Sequence, residues 1–140
     1  MSTALLFISI TVISALALVV IEVLLMNNSR KQKRSQFLAK EWNRVHRLVN
    51  SDPKHAVIEA DKLLEYALCS NKKKKSLGAE LKVQGEKIFS DLNEVWRVHK
   101  LRNRIVHELG FEITEKDAAH GLSVFKRALE DVGVRFSHSK

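Results

Sequence analysis

The chain has 140 residues, a single cysteine and a formal net charge of +8. This length allows one modest domain, and a lone Cys69 excludes an intrachain disulfide and suits a reducing compartment. The positive charge favours anionic partners, either phospholipid headgroups or nucleic acid, without choosing between them.

Residues 1–29 have the composition of a membrane anchor. No charged residue occurs from Ser2 to Ile21, and Glu22 is the only one before Met26. Roughly 20 apolar residues in a helix span a hydrocarbon core of about 30 Å. A cleaved signal peptide would have a basic N-terminal region and a shorter apolar run. The sequence therefore predicts an uncleaved transmembrane helix.

A short basic segment, residues 30–35, follows the anchor and is predicted to be a juxtamembrane linker. It contains Arg30, Lys31, Lys33 and Arg34, whereas no lysine or arginine precedes the apolar run. Cytoplasmic flanks carry the excess of basic residues in membrane proteins. We therefore expect an N-terminus outside and residues 30–140 in the cytoplasm, next to the inner or plasma membrane.

Residues 36–135 show helical periodicity and no sustained strand alternation, which predicts an all-α protein with a bundle of four to five helices after the anchor. A short tail, 136–140, is expected to follow the bundle. The predicted helices cover residues 36–50, 53–70, 79–89, 91–109 and 114–132.

Capping residues set these boundaries. Asp52, Asp91 and Thr114 each stand where a side-chain oxygen can accept from the free N–H groups of a first helical turn. Gly110 and Gly133 follow the last two helices, as expected for C-terminal residues in the left-handed conformation.

Three further features have competing interpretations. Lys72–Lys75 is interpreted first as a solvated loop, because four adjacent like charges repel each other, and otherwise as a contact for lipid headgroups or RNA phosphates. Trp42 and Trp96 lie on apolar stripes, so core packing is favoured over base stacking. Cys69 occupies an apolar helix position and is interpreted as a small core residue rather than a nucleophile.

The densest polar group in a helix is Arg102–Asn103 followed by His107. Asn103 and His107 are four residues apart and share a face, with His99 one step earlier. Arg102 and His107 are about 140° apart at 3.6 residues per turn. A site that uses both needs a bend at the helix end, the reach of the arginine side chain, or a second copy of the helix.

The spacing Arg102–Asn103–(three residues)–His107 near the end of a late helix resembles the HEPN superfamily of small helical bundles. The resemblance covers residues 36–135 in helix number and order, and only these positions in specific sequence. The chain is also similar to small membrane-anchored bacterial proteins with a Trp…His-Lys-Leu-Arg-Asn…His-Glu helix, here Trp96 to Glu108.

For catalytic members, the resemblance implies metal-independent RNA cleavage at the interface of a homodimer. The resemblance implies that Arg102 stabilises the phosphate, that His107 transfers protons, and that Asn103 supports these two side chains. The roles suit the chemistry: histidine exchanges protons near neutral pH, and the forked guanidinium matches phosphate oxygens. Many members of the superfamily act instead as non-catalytic binding or dimerisation modules, which leaves a membrane-tethered module for a protein or nucleic acid as the alternative.

Ordinary helix chemistry is the competing explanation of the same residues. Arg102 is able to pair with Glu94 or Glu108, and Arg104 with Glu108, as solvated pairs. His107 near a helix C-terminus interacts favourably with the helix dipole. No cofactor is expected, and no metal site either, because the cysteine and the candidate histidines (Cys69, His99, His107, His120) lack paired ligand spacing.

Overall fold

The computed structural model describes residues 2–68 and 76–136, with side chains from residue 7 onward. The described part is all-helical and contains no strand. The helices are α1 (Ser2–Arg47), α2 (Pro53–Leu68), α3 (Leu77–Ile88), α4 (Leu92–His107) and α5 (Glu115–Asp131). The all-α prediction is confirmed. Cys69 and Lys72–Lys75 lie outside the described residues.

The chain divides into two compact units between residues 34 and 35. In the first unit the apolar side chains of α1 are exposed, and α1 is long and apolar enough to cross a membrane. Thr11 and Ser14 each donate their hydroxyl to a carbonyl three residues earlier, Ile8 and Thr11 respectively, at 2.9 Å. These hydroxyls are thus satisfied within the helix.

The predicted linker is helical. Residues 30–35 belong to α1, which continues without interruption to Arg47. The physical reason is local, because the segment has neither proline nor glycine and its Arg, Lys and Gln residues favour helix.

The second unit, residues 35–140, contains the core. The C-terminal part of α1 and the other four helices each contribute side chains to it. Most apolar positions of the helical periodicity lie in this core, but Phe37, Val83 and Val106 are exposed. Its largest fully buried apolar side chains are Leu38, Val45, Val57, Leu64, Leu77, Leu81, Val98, Phe125 and Leu129. Phe136 was predicted to begin the tail, but it packs on Trp42 with 5.8 Å between ring centroids.

The predicted caps hold. Asp91 accepts from the backbone N–H of Glu94 at 3.1 Å, and this cap starts α4. Thr114 and Asp117 form a reciprocal capping box at the start of α5. Gly110 and Gly133 have φ values of 74° and 91°, which residues with a side chain rarely adopt. The polar residues at 99–107 are therefore carried by a helix with well-defined ends.

Candidate functional site

Asp61 in α2 is the charged side chain buried in the core of the described residues, with no exposed surface. It follows Ala60 in the apolar stripe that packs α2 against α4 and α5. A carboxylate in an apolar core is costly unless cations or hydrogen-bond donors surround it. Its partners therefore determine how α2 and α4 fit together.

His99 of α4 is the first partner. Its Nδ1 lies 2.7 Å from Asp61 Oδ1, and its side chain is 12% exposed. Because a carboxylate only accepts hydrogen bonds, Nδ1 of His99 carries the proton and donates a hydrogen bond to Asp61. The carboxylate thereby selects the tautomer of His99 and fixes the plane of its ring. His99 is thus a packed, largely buried histidine.

Arg102 is the second partner. Its Nε lies 3.1 Å from Asp61 Oδ2, close enough for an ion pair, but the N–H direction does not meet the geometry of a hydrogen bond. The Coulomb attraction depends on distance more than on this angle, so the pair still neutralises the buried charge. The Arg102 side chain is 21% exposed.

Asn103 connects the two partners of Asp61. Arg102 Nη1 donates to Asn103 Oδ1 at 2.9 Å, which leaves the amide nitrogen of Asn103 as the donor towards His99 Nε2, 3.4 Å away. Arginine has no acceptor, so this bond fixes the orientation of the amide. Asp61, His99, Arg102 and Asn103 form one polar network, which we call the Asp61 network.

His107 does not belong to the Asp61 network. It is the last residue of α4, is exposed, and its side chain forms no hydrogen bond or ion pair with any described residue. Val106 and Leu109 beside it are also exposed, and the Leu109 side chain is fully so. Of the three predicted site residues, the structure brings Arg102 and Asn103 together and leaves His107 apart.

Sequence reasoning missed Asp61 and therefore assigned Arg102 the wrong partner. Arg102 pairs with Asp61, and neither Glu94 nor Glu108 contacts it as an ion pair. A signal was present, because Asp61 follows Ala60 as Val57 follows Ala56, so the spacing already places it at a core position. A charged residue in a core stripe implies a buried partner on a neighbouring helix.

The predicted ion pair between Arg104 and Glu108 is present. Arg104 Nε lies 3.0 and 3.1 Å from the two carboxylate oxygens of Glu108, one turn away. His120 Nε2 lies 3.2 Å from Glu94 Oε2 and 2.5 Å from Arg97 Nη2. Within residues 7–68 and 76–136, no three His, Cys, Asp or Glu side chains come together as a metal site.

Two grooves border the bundle, and the tryptophan that lines each of them differs in exposure. Trp42 is only 4% exposed at the base of a groove of about 690 Å³ between α1 and α5, which confirms its core role. Trp96 is half-buried and lines an open groove of about 490 Å³ between α3 and α4. The core-packing prediction for Trp96 is therefore only partly correct.

Comparisons with known protein families, with curated proteins and with solved structures give no match to this chain. The features of this chain that bear on function are a buried carboxylate with two partners on α4 and an exposed histidine at the end of the same helix.

Proposed function

We propose that this chain is a single-pass protein of the inner or plasma membrane. Residues 1–29 anchor it, the N-terminus lies outside, and residues 36–135 form a cytoplasmic HEPN-like bundle. The long apolar helix α1 supports the anchor, and the basic residues of the 30–35 segment support the orientation. The bundle acts on RNA, to which its positive charge is attracted.

The proposed activity is metal-independent endoribonuclease cleavage. The imidazole of His107 accepts the proton of a ribose 2′-hydroxyl, and the 2′-oxygen attacks the adjacent phosphorus. The bond to the 5′-oxygen breaks, a cyclic phosphate remains on the 2′- and 3′-oxygens, and the departing 5′-oxygen takes a proton from a second imidazole. Arg102 binds the non-bridging oxygens and Asn103 orients it.

One observation carries this proposal: His107 presents a partnerless, exposed imidazole in the last turn of α4, on the face that also carries Asn103. A histidine that serves only packing would contact its neighbours. Here the adjacent Val106 and Leu109 are exposed as well. Such an end of a helix provides a proton-transfer group with apolar surface around it.

A homodimer completes the proposed site. Arg102 faces Asp61, about 140° around α4 from His107, so one chain does not direct both groups at one phosphate. A second copy packed on Val106 and Leu109 would bring the imidazoles of two His107 side chains together and supply the second proton-transfer group.

A non-enzymatic, membrane-tethered module that binds a protein or a nucleic acid is the second candidate. The observation that favours it is the engagement of Arg102, whose Nε faces Asp61 and whose Nη1 bonds to Asn103. A guanidinium committed to a buried carboxylate has fewer donors left for a substrate, as expected of a structural residue.

The test is RNA cleavage by the full chain in detergent micelles with a chelator present. We expect cleavage that His107→Ala abolishes and His55→Ala, which removes another exposed histidine, leaves unchanged. Products should carry a cyclic phosphate. Equal cleavage by the wild type and His107→Ala would overturn the nuclease proposal, and no cleavage by any of the three would favour the binding module.

A further inference from the structure

The groove between α3 and α4 has the composition of a nucleic-acid surface. Its lining residues come from both helices and include no acidic residue; they are Lys82, Asn93, Trp96, Arg97 and Lys100. Arg97 is held by Glu94 at 2.7 Å. Lys82 and Lys100 are exposed and have no ion-pair partner among the described residues, so both ammonium groups are available to an anion.

Trp96 packs against His99 and Gly78 at this groove. Its ring meets the His99 ring edge-on, with 5.9 Å between centroids. The far edge of the ring lies beside Gly78, where a Cβ would be in ordinary contact with it at 3.8 Å. Because His99 is itself fixed by Asp61, the indole is pre-oriented, and its uncovered part lines the groove. An aromatic ring that is already ordered loses little entropy on stacking.

The groove leads along α4 to the proposed site. Trp96, Lys100, Asn103 and His107 are spaced by four, three and four residues, which places them within about 60° of one another around the helix axis. Eleven residues cover about 16 Å of axis. One face of α4 thus carries, in order, an aromatic ring, a free cation, an amide and a free imidazole.

We propose that the α3–α4 groove binds single-stranded RNA, with a base stacked on Trp96 and the flanking phosphates paired with Lys82 and Lys100. A stacked base needs a planar aromatic surface beside cations, which is how proteins hold single strands without reading sequence. Lysine is depleted from protein–protein interfaces, so this composition fits a protein partner less well. The proposal rests on the proposed function, because the groove delivers the strand to His107.

Binding of a 2′-O-methylated oligouridylate by the full chain in micelles is the test, since this RNA cannot be cleaved through its 2′-oxygen. We expect binding to quench tryptophan fluorescence. Trp96→Leu should weaken affinity roughly 5- to 150-fold, the range for loss of one stacked base. Trp96→Phe should retain most of the affinity but lose the quenching, because the remaining Trp42 is buried.

The lysines provide a second readout that does not depend on the folding of a tryptophan variant. Replacing Lys82 and Lys100 together by alanine should reduce the slope of log affinity against log salt by about 1.4, since each contact to a single strand contributes about 0.7. Arg47→Ala removes a charge from the groove between α1 and α5 and should change affinity less than twofold.

The outcomes separate this proposal from the nuclease proposal. Binding that depends on Trp96, without cleavage of ordinary RNA, would support the groove and overturn the nuclease. Cleavage with unchanged affinity in Trp96→Leu and in the double lysine variant would overturn the groove alone. If Arg47→Ala lost as much RNA affinity as the double lysine variant, the attraction would be diffuse and the proposal would be overturned. Quenching of tryptophan fluorescence by anionic vesicles but not by RNA would assign the groove to lipid headgroups and would also overturn it.

Discussion

Asp61 of α2 and Arg102 of α4 form an ion pair, 3.1 Å between Oδ2 and Nε, in which the carboxylate has no solvent contact and the guanidinium side chain is 21% exposed. The pair links α2 to α4, the helix that carries the residues of the proposed site. Losing one member of a buried pair leaves the other charge uncompensated. Arg102 is therefore important for stability whether or not it also binds phosphate.

Asp61→Asn should destabilise the bundle by about 3 kcal/mol, the lower end of the range for a broken buried pair, because Arg102 keeps some contact with water. Arg102→Met should reduce the free energy of unfolding much less in the Asp61→Asn variant than in the wild type. The difference, which is the coupling energy, should be about 1 kcal/mol or more. Denaturant unfolding of the full chain in micelles, followed by tryptophan fluorescence, measures both.

The exposed pair Arg104–Glu108 is the matched control for this cycle, and its coupling should not exceed about 0.5 kcal/mol. Strictly additive effects of Asp61→Asn and Arg102→Met would contradict the assignment of a buried ion pair.

Glu59 should make stability depend on acid pH. Hydrogen bonds from Arg44 and Lys62 hold the pKa of the Glu59 carboxyl below its ordinary value of 4.5, since they favour the ionised form. Its contribution is thus fully present above pH 4.5 and is lost as the pH falls through the lowered pKa of the folded state. Glu59→Gln should cost up to about 1 kcal/mol at neutral pH and less in acid.

The free energies of unfolding of wild type and Glu59→Gln, measured across the acid range, should approach each other as the pH falls. The Glu65 carboxyl has no ion-pair partner among the described residues. The difference in stability between wild type and Glu65→Gln should therefore not shrink as the pH falls. A gap between wild type and Glu59→Gln that widens as the pH falls would contradict the prediction.

Two buried glycines should respond in opposite directions to alanine. A Cβ at Gly85 would lie 2.6 Å from Leu92 Cδ1, so Leu92, at the start of α4, must move, and we expect a loss of about 1 kcal/mol. At Gly121 the nearest atom, Val57 Cγ2, is 3.7 Å away, an ordinary contact. Gly121→Ala should therefore gain roughly 0.5–1 kcal/mol from reduced chain entropy. A higher melting temperature for Gly85→Ala than for Gly121→Ala would disprove this packing.

Reporter fusions test the proposed topology. Green fluorescent protein fused after Lys140 should fluoresce, and alkaline phosphatase at the same place should be inactive, because both outcomes require a cytoplasmic C-terminus. Replacing the basic residues of 30–35 by glutamine should raise phosphatase activity. The same change at Lys116, Lys126 and Arg127 in α5 should have no effect, and an active phosphatase on the unaltered chain would reverse the orientation.

Much of the fold follows from local sequence. Helix starts at Asp91 and Thr114 and a helix stop at Gly110 are short-range signals, and the apolar periodicity between them identifies the buried faces. The helical state of residues 30–35 was not evident from the change in composition at residue 30, and it arises because basic residues continue a helix readily.

The candidate site was predictable only in part. The spacing of Asn103 and His107 on one face of α4 is a property of any helix. The direction of the Arg102 side chain is not, because it depends on a carboxylate 41 positions earlier in the chain. The same holds for Trp96, whose periodicity indicates burial but whose exposure is decided by how far α3 covers it.

The sequence by itself determined an apolar N-terminal helix, an all-helical remainder and the polar composition of α4, because hydrophobic periodicity and capping act over a few residues. Only the tertiary structure decided that Asp61 holds His99 and Arg102, and that His107 stands apart from them. A buried charge selects its partners by proximity across packed helices, and that proximity exists only once α2 and α4 are in contact.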